Sequence, residues 1–102
     1  MRIKVLSSAI DDLYAGRLFY ENQAEGVGTY FFDSLFSDID SLVLYAGIHP
    51  IIQGYHRMLA KRFPYAVYYK VENDIAVVWR VLDLRRTPDR TRSALKEGQT
   101  NY

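Results

Sequence analysis

Eight basic side chains stand out as candidates for chemistry: Arg57, Lys61, Arg62, Arg80, Arg85, Arg86, Arg90 and Arg92, all in the second half of the chain. They fall on or beside segments that read as strands, with tyrosines between them. Cations that hold phosphates beside rings that stack on bases make an RNA-contact surface. The same arginines could cradle an acidic protein segment through bidentate contacts. His56, next to Arg57, is in reach of a general-base role with a lowered pKa, yet reads more simply as a partly buried strand residue. His49, beside Pro50, offers less. Asp83 near Arg85 and Arg86 reads as a structural ion pair, and Trp79 as the cross-strand partner of Tyr68. The sequence holds no carboxylate pair, nucleophile elbow, glycine-rich phosphate loop or zinc spacing.

Composition narrows the classes further. With no cysteine and two histidines in 102 residues, disulfides and thiol catalysis are excluded and a histidine metal cage is disfavoured, so no metal or cofactor is expected. No apolar run approaches the ~18–20 residues of a membrane span, and the opening Met1 to Leu6 lacks the apolar region of a signal peptide. A cytoplasmic protein with no membrane partner is the expectation. The net charge of +1 conceals a gradient: residues 1–51 carry three basic and seven acidic side chains, and residues 52–102 carry ten and five. A basic face built from the second half suits an anionic partner.

The elements that must position these residues follow from periodicity. No linker or repeat divides the chain, so one domain over residues 1–102 is expected, with a frayed tail from about residue 97. Arg2 to Leu6 alternates as a short strand with one wet side. Ser8 is placed to cap a helix from about Ala9 to Asn22 or Gln23, with Ile10, Leu13, Tyr14, Arg17 and Leu18 on one face. Glu25-Gly26-Val27-Gly28 breaks it. Phe32, Leu35, Phe36, Ile39, Leu42, Val43 and Ala46 then mark a second amphipathic helix whose outer face carries Asp33, Ser34, Ser37, Asp38 and Asp40. Two helices joined by a short turn form a hairpin that needs an apolar surface to lie on.

Strands supply that surface. An extended run from Tyr55 to Arg62 is interrupted at Phe63-Pro64. Tyr65 to Glu72 and Ile75 to Leu84, around Asn73-Asp74, carry the signature of a β-hairpin. A two-residue loop sets Glu72 against Ile75, Tyr68 against Trp79 and Val67 against Arg80. One face then carries Ala66, Tyr68, Lys70, Val77, Trp79 and Val81, and this is the face expected to stay open to partners. The other carries Tyr65, Val67, Tyr69, Val71, Ala76, Val78, Arg80 and Leu82. Pro88 begins a short terminal helix anchored by Ala94 and Leu95. The fold class is α+β: an N-terminal strand, an αα-hairpin on a small, mostly antiparallel four-stranded sheet, and a short C-terminal helix.

The run Arg57-Met58-Leu59-Ala60-Lys61-Arg62-Phe63-Pro64-Tyr65-Ala66-Val67-Tyr68-Tyr69-Lys70-Val71-Glu72, with Ile75 to Leu82 and Arg85-Arg86-Thr87-Pro88, resembles the RelE/ParE superfamily of toxins. These belong to type II toxin–antitoxin modules and are often described as plasmid stabilization proteins. The likeness extends over about residues 1–90. It implies a toxin causing growth arrest, neutralised by a cognate antitoxin that wraps its surface, for which Tyr68, Lys70 and Trp79 are the candidate antitoxin-binding residues. It leaves a homodimer or an antitoxin-bridged hetero-oligomer open.

The family divides by target. ParE-like members inhibit DNA gyrase by binding, with no cleavage chemistry of their own. RelE-like members bind the ribosome and cut mRNA with strand cations and a terminal tyrosine. On the ribonuclease pattern this sequence keeps a base at Arg57 and at Arg86. It has Leu59 where a second strand lysine is expected, Ala66 where an arginine follows Tyr65, and Arg92 near the tyrosine position. Those losses favour a gyrase inhibitor, with Arg80, Arg85, Arg86 and Arg90 as the target-binding set. The alternative is a ribosome-dependent mRNA endonuclease using Arg57, Lys61, Arg62 and Arg86, with Tyr65 or Tyr68 as substitute hydroxyl.

Overall fold

A computed structural model describes the backbone of residues 1–99 and the side chains of residues 1–96; of the tail expected to fray from about residue 97, residues 97–99 continue α4 as helix and the rest lies outside the described residues. The elements run β1 (Arg2–Val5), α1 (Ser7–Gln23), α2 (Val27–Asp40), α3 (Leu42–Tyr45), β2 (Ile51–Ile52), β3 (Tyr55–Leu59), β4 (Tyr65–Glu72), β5 (Ile75–Asp83) and α4 (Pro88–Gln99). The sheet has five strands, not four, in the order β1-β5-β4-β3-β2. The extra strand is the two-residue β2, antiparallel to β3 through a turn in which Gln53 and Gly54 have φ of 57° and 84°. Positive φ at both central residues gives a loop whose twist matches that of the strands. Asn73 and Asp74, at φ 50° and 63°, make the same turn between β4 and β5. β1 lies parallel to β5, joining residues 2–5 to residues 75–78.

The β4–β5 register follows the expected alternation from Glu72–Ile75 as far as Tyr69–Val78, then shifts. Tyr68 faces Arg80 rather than Trp79, and Val67 faces Val81 rather than Arg80. Trp79 is thus the extra residue of a β-bulge, and every side chain beyond it changes face. Val81 joins Met58, Tyr65, Val67, Tyr69, Ala76 and Val78 under the helical hairpin. Leu82 joins Tyr55, Ala66 and Tyr68 on the opposite face. That face is not open: Ala94 and Leu95 of α4 cover it, as their anchoring role requires, and the Tyr55 hydroxyl donates to the Leu95 carbonyl at 2.9 Å.

The hairpin helices are rotated from the faces their periodicity suggested. On α1 the buried line is Ala9, Leu13 and Gly16, while Tyr14 and Leu18 are exposed. On α2 it is Phe31, Ser34, Leu35, Asp38 and Ile39. Phe31 explains the rotation. Its ring packs against Tyr20, Phe63 and Tyr65 at centroid distances of 5.0, 5.0 and 4.9 Å, and this aromatic cluster draws α2 inward along the line through residue 31. The helices approach closely at two glycines. A Cβ on Gly16 would lie 2.5 Å from Phe31 ring carbons, and one on Gly28 would lie 2.5 Å from the Arg17 carbonyl oxygen. Ser8 does not cap α1; its hydroxyl donates to the Trp79 carbonyl at 2.6 Å, tying the helix start to the bulge. Glu21 caps the next helix instead, accepting from the Gly26 and Gly28 N–H groups at 2.9 Å each.

Candidate functional site: an arginine cluster and three clefts

The arginines that look alike in sequence have different surroundings. Arg80 is committed to the fold. Its Nε and Nη2 donate to the two Asp12 carboxylate oxygens at 2.7 and 2.9 Å, and one of those oxygens also accepts from the Val81 N–H at 2.9 Å. The bulge turns that N–H toward α1, so one carboxylate satisfies both the irregular backbone and the guanidinium. Arg85 forms the pair foreseen with Asp83, forking onto both carboxylate oxygens. The hydrogen bonds from Arg85 hold the Asp83 carboxyl below its ordinary range against the opposing effect of burial. Arg85 also lies 5.5 Å over the Phe19 ring. Arg92 pairs with Asp89 at 2.8 Å.

Arg86 differs from these. Its Nε is buried and has no hydrogen-bond partner among the described residues, a condition it shares with Arg57 Nε and Trp79 Nε1. A buried donor without a partner costs free energy, so each marks a place to look for a ligand. Arg86 borders a cleft of about 380 Å³ with Phe19, Tyr65, Asp83, Arg85 and Arg90. The Tyr65 phenol there is pushed up to about 12, chiefly by burial and then by the Asp83 charge. It remains protonated at neutral pH, a donor and not a base. On the other side Arg86 borders a cleft of about 230 Å³ with Arg57, Tyr68 and Arg92.

The structure therefore brings Arg57 and Arg86 to one cleft and Arg85, Arg86 and Arg90 to another. It leaves Arg80 locked, and places Lys61 and Arg62 beyond the end of β3. Of the three candidate antitoxin-binding residues, Tyr68 is only 2% exposed. Lys70 and Trp79 are both half-buried, the Lys70 ammonium lying 4.8 Å over Tyr55 and 5.2 Å over Trp79. Trp79 meets Tyr55 edge-on at 6.0 Å in place of the expected Tyr68.

A third cleft, about 540 Å³, opens at the sheet edge between α2, α3, the loop before β2 and β3. Sequence reasoning missed it. Its lining includes Asp38, Tyr45, Ile48, Pro50, Met58 and Lys61. Asp38, expected on a wet face, is 4% exposed, and its carboxylate accepts the Lys61 N–H at 3.0 Å. The wall is fixed by Tyr69, whose hydroxyl accepts from the Gly47 N–H at 2.9 Å and meets His49 Nδ1 at 2.5 Å. His56 stacks on the Tyr69 ring at 5.0 Å and bonds the His49 carbonyl through Nδ1 at 2.7 Å. Both histidines are thus structural. Burial, and secondarily His56, lowers the His49 pKa.

Among the described residues no three His, Cys, Asp or Glu side chains gather as a metal site, and no helix is long and apolar enough to cross a membrane. A solved structure described as the chromosomal ParDE TA system from P. aeruginosa superposes on the chain with a TM-score of 0.76. The fold is RelE/ParE-like. The match is 17% identical in sequence and spans 83% of this chain and 97% of that one, so nearly the whole of that architecture is present here. No protein-family model and no curated protein matches the sequence.

Proposed function

We propose that the chain is the toxin of a type II toxin–antitoxin module, neutralised by a cognate antitoxin, and that it acts by binding and inhibiting DNA gyrase. The observation that carries the module assignment is the correspondence with a chain of a ParDE toxin–antitoxin system over 97% of that chain's length. The choice of a binding inhibitor over a nuclease rests on the clefts. Leu59 projects to solvent where a cation would be needed, and Ala66 is fully buried where an arginine would be needed. Arg92 is paired with Asp89. Without those groups a phosphorane would lack charge stabilisation, and each missing donor is worth roughly 3 kcal/mol of barrier. The target surface in this reading is Arg86, Arg90 and the outer side of Arg85, around the cleft beside Phe19.

One observation favours the ribonuclease alternative: Arg57 and Arg86, each with an unpartnered buried Nε, border a single cleft with Tyr68. Such a pair could hold a phosphate. The deciding experiment adds purified protein to a gyrase supercoiling assay and, in parallel, to translating ribosomes with mapping of message ends. Loss of supercoiling with intact messages is the expected result. Codon-positioned cuts with untouched gyrase would reverse the assignment.

A further inference from the structure

Among the described residues, one buried carboxylate has no counter-charge. Asp12, Asp83 and Asp89 each hold an arginine, whereas Asp38, 4% exposed, forms no salt bridge. Its Oδ2 accepts the Lys61 N–H at 3.0 Å. Its Oδ1 has no partner among the described residues, yet it is not sealed from solvent, and Asp38 lines the third cleft. The Ser41 hydroxyl donates to the Asp38 carbonyl at 2.5 Å and lies 3.7 Å from the Met58 sulfur, tying the end of α2 to β3 where the carboxylate emerges. Two cations border the cleft and neither serves the carboxylate. Lys61 gives only its backbone N–H, its side chain being exposed and in no ion pair among the described residues. Arg57 belongs by strand alternation to the opposite face of β3, with Tyr55, where it borders the cleft shared with Tyr68 and Arg86. Water can meet the hydrogen bonding of Oδ1 but cannot neutralise its charge, and burying a charge unpaired is costly.

We propose that the third cleft binds a small organic cation, a primary ammonium on an apolar body, with the ammonium on Asp38 Oδ1 and the body between Tyr45, Ile48 and Met58. The volume of about 540 Å³ falls in the range of small-molecule sites, which are lined chiefly by apolar side chains with a few polar groups that fix orientation. Tyr45 and Ile48 are exposed and form an open mouth, while Asp38 and Met58 are buried at its floor. The Tyr45 ring adds a face that attracts a cation. An ammonium suits the site better than a guanidinium. Oδ2 is occupied by the Lys61 N–H, so a two-pronged fork cannot close, whereas a point donor needs one oxygen. An anion would meet the carboxylate directly. Nothing in the chemistry of the cleft depends on the toxin assignment.

The test titrates purified protein with tryptamine, and with its neutral and acidic analogues tryptophol and indole-3-propionate, followed by calorimetry and NMR. Tryptamine should saturate with a Kd on the order of 0.1 mM for a ligand of this size, shifting the Asp38, Ile48 and Lys61 amides and the Met58 methyl. Tryptophol and indole-3-propionate should bind about tenfold more weakly or not at all. Spermidine, which carries charge without the apolar body, should lose about as much. Asp38→Asn is the discriminating variant. It keeps an oxygen for the Lys61 N–H and removes the charge, so it should weaken tryptamine about tenfold and leave tryptophol unchanged. Should that variant not fold, Ile48→Lys on the exposed rim brings an ammonium of the chain's own to the cleft and should weaken tryptamine to the same extent. Equal affinity for the three indoles, full affinity in the folded variants, shifts confined to another part of the molecule, or no saturation by about 5 mM would each overturn the proposal. None of these readouts depends on gyrase or ribosomes, so the site and the toxin assignment can fail separately.

Discussion

Replacing Gly16 by alanine sets two effects of opposite sign against each other. Glycine in the middle of α1 weakens the helix, and on an open helix face alanine would gain about 1 kcal/mol. Gly16 is not on an open face. A Cβ there would sit 2.5 Å from two carbons of the Phe31 ring, which itself is fully buried. The ring has no retreat, being held by Tyr20, Phe63 and Tyr65 at centroid distances of 5.0 Å or less. Relief requires α1 and α2 to move apart, at a cost near the upper end of the 1–3 kcal/mol typical of overpacking. The net expectation is a destabilisation of about 1–2 kcal/mol, or a fall in Tm of roughly 5–15 °C for a domain of this size. Thermal and urea unfolding followed by circular dichroism measure it. A double-mutant cycle supplies the internal control: in a Phe31→Leu background the same alanine should be neutral or stabilising. A Gly16→Ala protein more stable than its parent would refute the reasoning, because it would mean that the hairpin is free to widen. Gly16 also borders the cleft of Arg86 and Arg90, so widening the hairpin should weaken target binding together with stability.

Three further outcomes are expected. Asp12→Ala should cost roughly 2–4 kcal/mol in urea unfolding, since it strands a guanidinium that is 19% exposed and frees a backbone N–H at the bulge. Arg86→Ala should leave stability within about 0.5 kcal/mol yet abolish inhibition, whereas Arg80→Ala should lose stability first; equal stability losses would contradict the division of the arginines. Unfolding free energy should fall as pH drops below 6.5, because the pKa of His49 is lowered from that value in the fold and the unfolded chain therefore binds the proton first. The loss should level off below the folded pKa, and His49→Gln should flatten the slope between pH 7 and 5.

What the sequence made legible was local. The Asn73-Asp74 turn, the extent of α1 and the Ala94 and Leu95 anchors each depend on residues close together in the chain. The phase of the elements depended on distant partners. Both faces of β4 and β5 are apolar, so alternation could not reveal that Trp79 is an extra residue and that Val81 and Leu82 had changed sides. Aromatic residues at 31, 32 and 36 allowed two nearly equal apolar lines on α2, and the cluster around Phe31 chose between them. The division of labour among the arginines was invisible for a related reason. Nothing beside Arg80 indicates that Asp12, far away in sequence, will claim it, while Arg86 has no such partner among the described residues. Ala66→Arg, which would supply the arginine of the ribonuclease pattern, would drive a cation beneath α4 where Ala66 is fully buried.

The parallel pairing of β1 with β5 bears on how the protein is made. On a ribosome, β1 cannot be seated until residues 75–78 have followed it. At roughly 5–20 residues per second, that leaves β1 waiting for several seconds. The helical hairpin waits as well, since the strands it lies on come after it in the chain. Neither arginine cleft exists until the loop after β5 has been translated, and α4, which roofs the sheet, follows that loop. The two clefts and the cover over the sheet therefore take shape together, only after all five strands have been made.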